Sequence, residues 1–432
     1  MRLWIAALAF AFGALPVAAR AQQTYSFEPS EYQKKDYEIG GFAEGKLEGF
    51  ALNRDGAFYQ LNKPSGSRPS VNERGTATLE VTGKYHKDIV SLNVTAHGDG
   101  YRDVVFGNNH STKLYEAGLA LQPETGLSLD IGKKVVLWGK GYAWNPVGFI
   151  QRPKDPTDPN LSRAGFWMAS ADYVRSFDGP IQTVGFTSVF IPTTPAVNND
   201  FGQVHHSDVA AKLYILAADT DIDFMALSGG AKSARYGADF SRNIGSQLEI
   251  HGELAGITAS KKTVLNAAQQ PVASTSPALD YLVGLRFLSE ADTTYILEYY
   301  HNGEGFQESE GDSFFSLAHN AVAQYRATGN NALLQKAGMM SNAYMRPNAM
   351  RRYINLKISQ NEPFDIVYFT PSLTVQANLT DRSVLILPEL LYTGFTNVEL
   401  RLRAQANIGS HFTEFGEKQA SAKVEFRARY YF

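Results

Sequence analysis

The strongest constraint in this chain is a two-residue alternation that runs to Phe432. Phe432, Tyr430, Ala428, Phe426, Val424 and Ala422 share one parity, while Tyr431, Arg429, Arg427, Glu425 and Lys423 share the other. The segment before it repeats the pattern. Val398, Leu400, Leu402, Ala404, Ala406 and Ile408 alternate with Glu399, Arg401, Arg403, Gln405 and Asn407. A helix, with a period of about 3.6, mixes these sets, and a strand separates them. A strand that is apolar on one face and heavily charged on the other lies between oil and water. In a closed membrane-spanning barrel the oil is lipid outside and the water is the lumen.

Met1 to about Ala21 reads as a leader rather than as structure. Arg2 supplies positive charge, Leu3 to Val17 are largely apolar, and Ala19-Arg20-Ala21 has the small-x-small form of a cleavage site. The stretch is short for an anchor helix, and no other stretch approaches the roughly 18 apolar residues a spanning helix needs. Barrels escape that test because every second residue faces water. Residues 22–36 read as a short periplasmic lead-in, and 37–432 as one barrel with no further domain boundary.

The chain has no cysteine, which excludes disulfides, zinc–thiolate sites and thiol nucleophiles. Its formal charge of -3 and lack of a basic tract exclude a nucleic-acid surface. No cofactor motif and no metal-ligand pattern is present. Asp219-Thr220-Asp221-Ile222-Asp223 lacks the glycine and distal glutamate of a calcium loop, and His205-His206 beside Asp208 lacks further ligands.

Alternation recurs along the chain and defines about eighteen strands, with sixteen as the alternative. They cover roughly 37–52, 76–84, 89–98, 113–122, 126–134, 166–177, 181–191, 208–218, 221–229, 234–243, 247–257, 279–288, 293–302, 351–360, 364–379, 383–392, 397–408 and 420–432. The connections alternate in length. Long ones are expected at 53–75, 99–112, 135–165, 192–207, 258–278, 303–350 and 409–419; 230–233 and 380–382 are brief members of the same side. Those between are turns of a few residues. Transmembrane barrels pair short periplasmic turns with long external loops, which puts both chain ends on the periplasmic side. A soluble β-sandwich also alternates, but seldom carries an outward apolar band on so many strands. The expected fold is therefore an all-β, antiparallel, up-and-down transmembrane barrel.

The leader, the terminal strand Val424–Phe432 and the loop alternation together resemble Gram-negative outer-membrane porin-type proteins, over nearly all of the mature chain. The block Trp138-Gly139-Lys140-Gly141-Tyr142-Ala143-Trp144-Asn145-Pro146 is similar to a Trp-Gly…Asn-Pro block after a barrel strand in other porin-like proteins. The constriction signature of general porins is not recognisable. The resemblance implies outer-membrane residence among lipid and lipopolysaccharide, insertion by the barrel-assembly machinery through the terminal strand, and no enzymatic step. It leaves a homotrimer open.

Selectivity in a barrel is set by the lumen wall and by loops folded into it. Parity turns Arg401, Arg403, Arg427 and Arg429 inward on neighbouring strands, with Lys423 and Lys357. Such a wall favours anions or saccharides, unless Glu399 and Glu425 neutralise it. Glu249, Glu253 and Asp239 face inward on an opposite, acidic wall. Two loops are constriction candidates. The 303–350 loop carries weak helical periods at 314–327 and 331–339, with Phe314 and Tyr325, and would narrow the pore or cap it. The 135–165 loop carries Trp138, Tyr142 and Trp144, to stack on sugars at the mouth or serve as an interface girdle. His251 between Glu249 and Glu253 is the nearest approach to a hydrolytic site. The expected function is passive diffusion of small hydrophilic solutes, anions or sugars among them. The alternatives are a dedicated channel for an anionic saccharide, a hydrolase at the barrel rim, and a plugged scaffold or adhesin. With no plug domain before the first strand, an energised transporter is not expected.

Overall fold

The computed structural model describes residues 35–66 and 69–432. The leader at 1–21 and nearly all of the lead-in at 22–36 lie outside the described residues. From Tyr37 the chain forms eighteen antiparallel strands in one sheet, each paired with its sequence neighbours. The sheet closes where β1 (Tyr37–Leu52) pairs with β18 (Ala420–Tyr431), from Phe42 opposite Tyr431 to Ala51 opposite Ala422. Closure leaves no strand edge unpaired, which a sheet in hydrocarbon requires.

The parity read from the sequence is the parity of the wall. On β18, Val424, Phe426 and Tyr430 face outward and are exposed, whereas Glu425 and Arg427 are buried inside. On β17 (Val398–Ile408), Leu402 and Ile408 point out and Arg403 points in. Outward residues of other strands, Tyr236, Phe240, Leu254, Val283 and Leu297 among them, continue the apolar exterior. Exposed apolar surface on this scale needs lipid to cover it.

On the side of the chain ends, β2 (Val71–Lys87) turns into β3 (Val90–Asp103), β4 (Gly107–Glu124) into β5 (Leu127–Lys134), and β8 (His206–Ala217) into β9 (Thr220–Leu227), each through two residues. The turn between β14 (Arg352–Gln360) and β15 (Phe369–Asn378) is longer than expected. Residues 361–368 form a turn rather than the start of a strand.

At the opposite mouth, two connections expected to be long are short. The β3–β4 hairpin closes over 104–106, and the hairpin of β11 (Leu248–Leu265) and β12 (Pro271–Leu288) closes over 266–270. The strands simply continue. Asp99 pairs with Ser111 and Lys261 with Thr275, and Asn266 Oδ1 accepts the N–H groups of Ala268 and Gln270 at the tip. These extensions have polar residues on both faces, so the alternation ends where the ladder does not. Strands standing in water on both sides lose the constraint that imposes period 2.

Three helices lie in the loops at this mouth. α1 (Ala57–Asn62) follows β1, and α2 (Glu308–Thr328) and α3 (Ala332–Met345) fill the loop between β13 (Thr293–His301) and β14. α2 begins where Glu310 accepts the Gln307 N–H at 2.7 Å and stops at Gly329, which takes a left-handed φ of 73°. Its buried face is Phe314, Phe315, Leu317, Ala318, Ala321 and Val322, at helical spacing. That face packs on Tyr344 of α3 and Phe58 of α1, so the helices cap part of the mouth. Phe314 belongs to this core, which also takes in Trp144 and the inward wall residues Leu282 and Tyr300. Tyr325 is half-buried near the end of α2.

Candidate functional site: a loop strung across the lumen

The narrowing element is the 135–165 loop, which follows β5 and leads into β6 (Phe166–Ser176). Two inward carboxylates on neighbouring parts of the wall hold its first half. Glu253 of β11 accepts N–H groups from Lys140 (2.7 Å), Gly141 (2.6 Å) and Val147 (3.2 Å), and the Asn145 amide at 2.9 Å. Glu298 of β13 accepts those of Tyr142 (2.5 Å) and Ala143 (2.8 Å). Hydrogen bonds to an ionised acceptor contribute about 1.5–3 kcal/mol each.

The sequence makes this approach feasible at two glycines. Gly139 has φ of +99°, and a Cβ there would meet Glu253 Oε1 and Asn145 Nδ2 at 2.6 Å; a Cβ on Gly141 would meet the Trp144 carbonyl oxygen at 2.1 Å. Lys154 closes the curl from within by donating to the Gly141 carbonyl at 2.6 Å, and burial lowers its pKa.

The tryptophans serve neither as an interface girdle nor as an open sugar platform. Trp138 is buried against Val147, Phe149 and the inner wall, and Trp144 stacks on Tyr300 at 5.2 Å. Tyr142 is half-buried and donates its hydroxyl to Glu249 at 2.9 Å. The segment is held by backbone N–H groups, so its rings turn to packing.

The second half of the loop reaches the basic wall. Asp155 turns the chain by accepting the N–H and hydroxyl of Thr157, and Pro156 and Pro159 stiffen the path. Asp158 then lies among three guanidiniums, 3.2 Å from Arg403, 3.1 Å from Arg427 and 3.8 Å from Arg401. Burial raises the pKa of its carboxyl, but Arg403, Arg427 and Arg401 outweigh that and hold it below the usual carboxylate range.

The wall's own acids take up most of the remaining charge. Glu389 of β16 (Ser383–Phe395) bonds Arg403 Nε, Glu399 bonds Arg401 at 2.9 Å, Glu425 bonds Arg427 at 2.8 Å, and Glu44 holds Arg429 at 2.6 Å. Lys423 is taken up by Glu48 and Glu425. The four arginines therefore form a neutralised network and not a free positive ladder. Lys357 differs: among the described residues it has no ion pair, and it borders the same space as Arg401 and Asn355.

On the acidic wall, Lys140 from the loop lies 2.9 Å from Asp223 and 4.0 Å from Asp239. His251 is fully buried, with Nε2 3.0 Å from Glu298. Its ring lies beneath the Glu298 carboxylate that grips the loop.

Two crevices remain beside the crossing segment. One, of about 150 Å³, lies between Pro156–Asn160 and the wall that bears Lys357, Thr374, Glu389 and Arg401. The other, of about 280 Å³, lies between Leu161 and Ser162 and the wall that bears Glu44, Asp99, Tyr101 and Arg429. Glu298, Asp158 and Glu389 are central to this site and were not singled out from sequence. Glu298 had a signal: it is the lone acid on the inward parity of β13.

A closed barrel, apolar outside and charged within, with a loop folded into the lumen, defines the porin architecture. Solved structures of that class are similar to this chain. Pseudomonas aeruginosa OccK11 (OpdR) shows 11% identity, covers 92% of this chain and 96% of its own, and has a TM-score of 0.50. Pseudomonas aeruginosa OccK2 (OpdF) in complex with glucuronate shows 10% identity, covers 92% of this chain and 98% of its own, with a TM-score of 0.50. Neither a protein-family model nor a curated protein matches the sequence.

Proposed function

We propose that this chain is a Gram-negative outer-membrane channel through which small hydrophilic solutes, anions and sugars among them, diffuse passively. The observation that carries the reading is the crossed lumen: a charged passage inside an apolar cylinder, narrowed by the 135–165 loop but with a crevice on each side of it. Lys357 borders the smaller crevice without an ion pair among the described residues, and it would meet an anion that enters there. The OccK2 neighbour, solved with glucuronate, agrees with a small anionic sugar as one class of solute. The neutralised arginines favour a channel of mild preference over one dedicated to a polyanion.

The other sequence-derived roles take their place within this reading. Arg401, Arg403, Arg427, Arg429, Glu249, Glu253 and Asp239 act through the loop as much as on the solute. His251 supports the Glu298 contact, and its complete burial speaks against hydrolysis at that residue. The terminal strand would serve the barrel-assembly machinery, the outward belt would contact lipid and lipopolysaccharide, and the reading leaves a homotrimer open.

Purified protein in a planar bilayer tests the proposal. Stepwise ion conductance, reduced by millimolar glucuronate, is the expected result. A folded barrel that inserts and conducts nothing would establish the plugged scaffold instead. Lys357→Gln should lower the anion-to-cation permeability ratio by roughly two-fold, read from the reversal potential in a salt gradient.

A further inference from the structure

At the loop mouth, three connections converge on one buried carboxylate. Glu417, in the β17–β18 loop, accepts the Ala57 N–H at the start of α1 at 2.5 Å and the Phe412 N–H at 2.9 Å. Its side-chain partners are imidazoles. His319 Nε2, from the middle of α2, lies 3.1 Å from both carboxylate oxygens, and His411 Nδ1 lies 3.5 Å from Oε1. Among the described residues no lysine or arginine forms an ion pair with Glu417, whereas nearby Glu414 has Lys418 at 3.7 Å. This fully buried carboxylate therefore faces two imidazole rings and, among the described residues, no lysine or arginine ion-pair partner.

The donor geometry is that of a small first-row cation. The three ligand atoms lie within 4.8 Å of one another. Tetrahedral zinc, with bonds of about 2.0–2.1 Å, sets its ligand atoms about 3.3 Å apart. Two edges of this triangle are 3.1 Å and 3.5 Å. His411 is mostly exposed, so its ring is free to close the third edge. Two imidazole nitrogens and one carboxylate oxygen suit zinc and its first-row neighbours, and not calcium or magnesium.

We propose that His319, His411 and Glu417 bind one zinc-class divalent cation, with water completing its coordination. The ion would fasten α2 to the β17–β18 loop and, through the Ala57 N–H, to the β1–β2 loop. It acts as a bolt between the helical cap and the rim. The inference is independent of what the barrel conducts.

Untagged, chelator-stripped protein titrated with Zn²⁺ alone, followed by metal analysis after dialysis, tests it. The wild-type chain should retain one zinc. His319→Ala and His411→Ala should each weaken binding at least ten-fold, while the double variant His205→Ala/His206→Ala should bind as the wild type does. His411 is at the surface, so its replacement leaves the fold intact, and the heat-dependent shift of the barrel on electrophoresis checks that. Absence of stoichiometric zinc in the wild-type protein, or equal retention by His411→Ala, would overturn the site.

Discussion

Asp158 is one carboxylate facing three guanidiniums, and its charge fixes both a position and a field. Asp158→Asn leaves Arg401, Arg403 and Arg427 short of one negative partner. Removing one member of a buried ionic cluster costs on the order of 3–5 kcal/mol, here spent mainly in loosening the loop. The expected readouts are a noisier open channel and a permeability ratio shifted towards anions by roughly two- to five-fold. A reversal potential unmoved from wild type would show that this cluster does not set selectivity. The pH dependence follows from the depressed pKa of Asp158. A carboxyl whose folded pKa is lowered contributes fully above its unfolded value of about 3.9 and loses that contribution as pH falls through the folded value. Open-channel noise should stay level from pH 7 down to about pH 4 and rise only below it.

At the scale of elements, the 135–165 loop is a polypeptide gripped by walls it does not adjoin in sequence. Glu253→Ala deprives four donors of their acceptor, and Glu298→Ala deprives two backbone N–H groups. At about 1.5–3 kcal/mol for each charge-assisted bond, Glu253→Ala should free the loop more completely and raise single-channel conductance above that of Glu298→Ala. Equal conductance in both variants and the wild type would mean that the loop stays in place without them. This also explains what was legible in the sequence. Strands such as β1, β17 and β18 announce themselves because lipid and water impose an alternation residue by residue. The loop obeys no such local rule. Its shape depends on Gly139 and Gly141 meeting Glu253 more than a hundred residues away, and only the spacing of the two glycines hints at it. The charged wall was readable as a row of arginines, but its neutralisation by Asp158 was not. An aspartate between prolines carries no mark of where its loop will land. The water-borne extensions of β3, β4, β11 and β12 were missed for the converse reason: nothing there demands alternation.

For the whole molecule, the division between an oily exterior and a packed interior is open to a direct optical test. Trp167 lies on the outer face of β6 and is exposed, whereas Trp138 and Trp144 are buried on the lumen side. In bilayers of brominated lipid, with protein that lacks the leader and so Trp4, Trp167 should account for nearly all the quenching, and Trp167→Phe should abolish it. Strong quenching that persists in that variant would place the other tryptophans against lipid and invert the wall. Closure has its own signature. Phe432 exchanges both backbone hydrogen bonds with Gly41, each at 3.1 Å. Removing Phe432 should lower the yield of heat-modifiable, folded barrel.

A thin cylinder resists stretching along its hydrogen bonds far better than it resists being squeezed oval. The 135–165 segment is tied at one end to β11 and β13 and at the other to β17 and β18. It works like the tie-rod of an arch, coupling the girth of the pore to its own tension. Sideways pressure from the bilayer would then reach the passage through this one strap. A channel with the strap cut would change conductance with membrane tension, while the intact one would hold its bore.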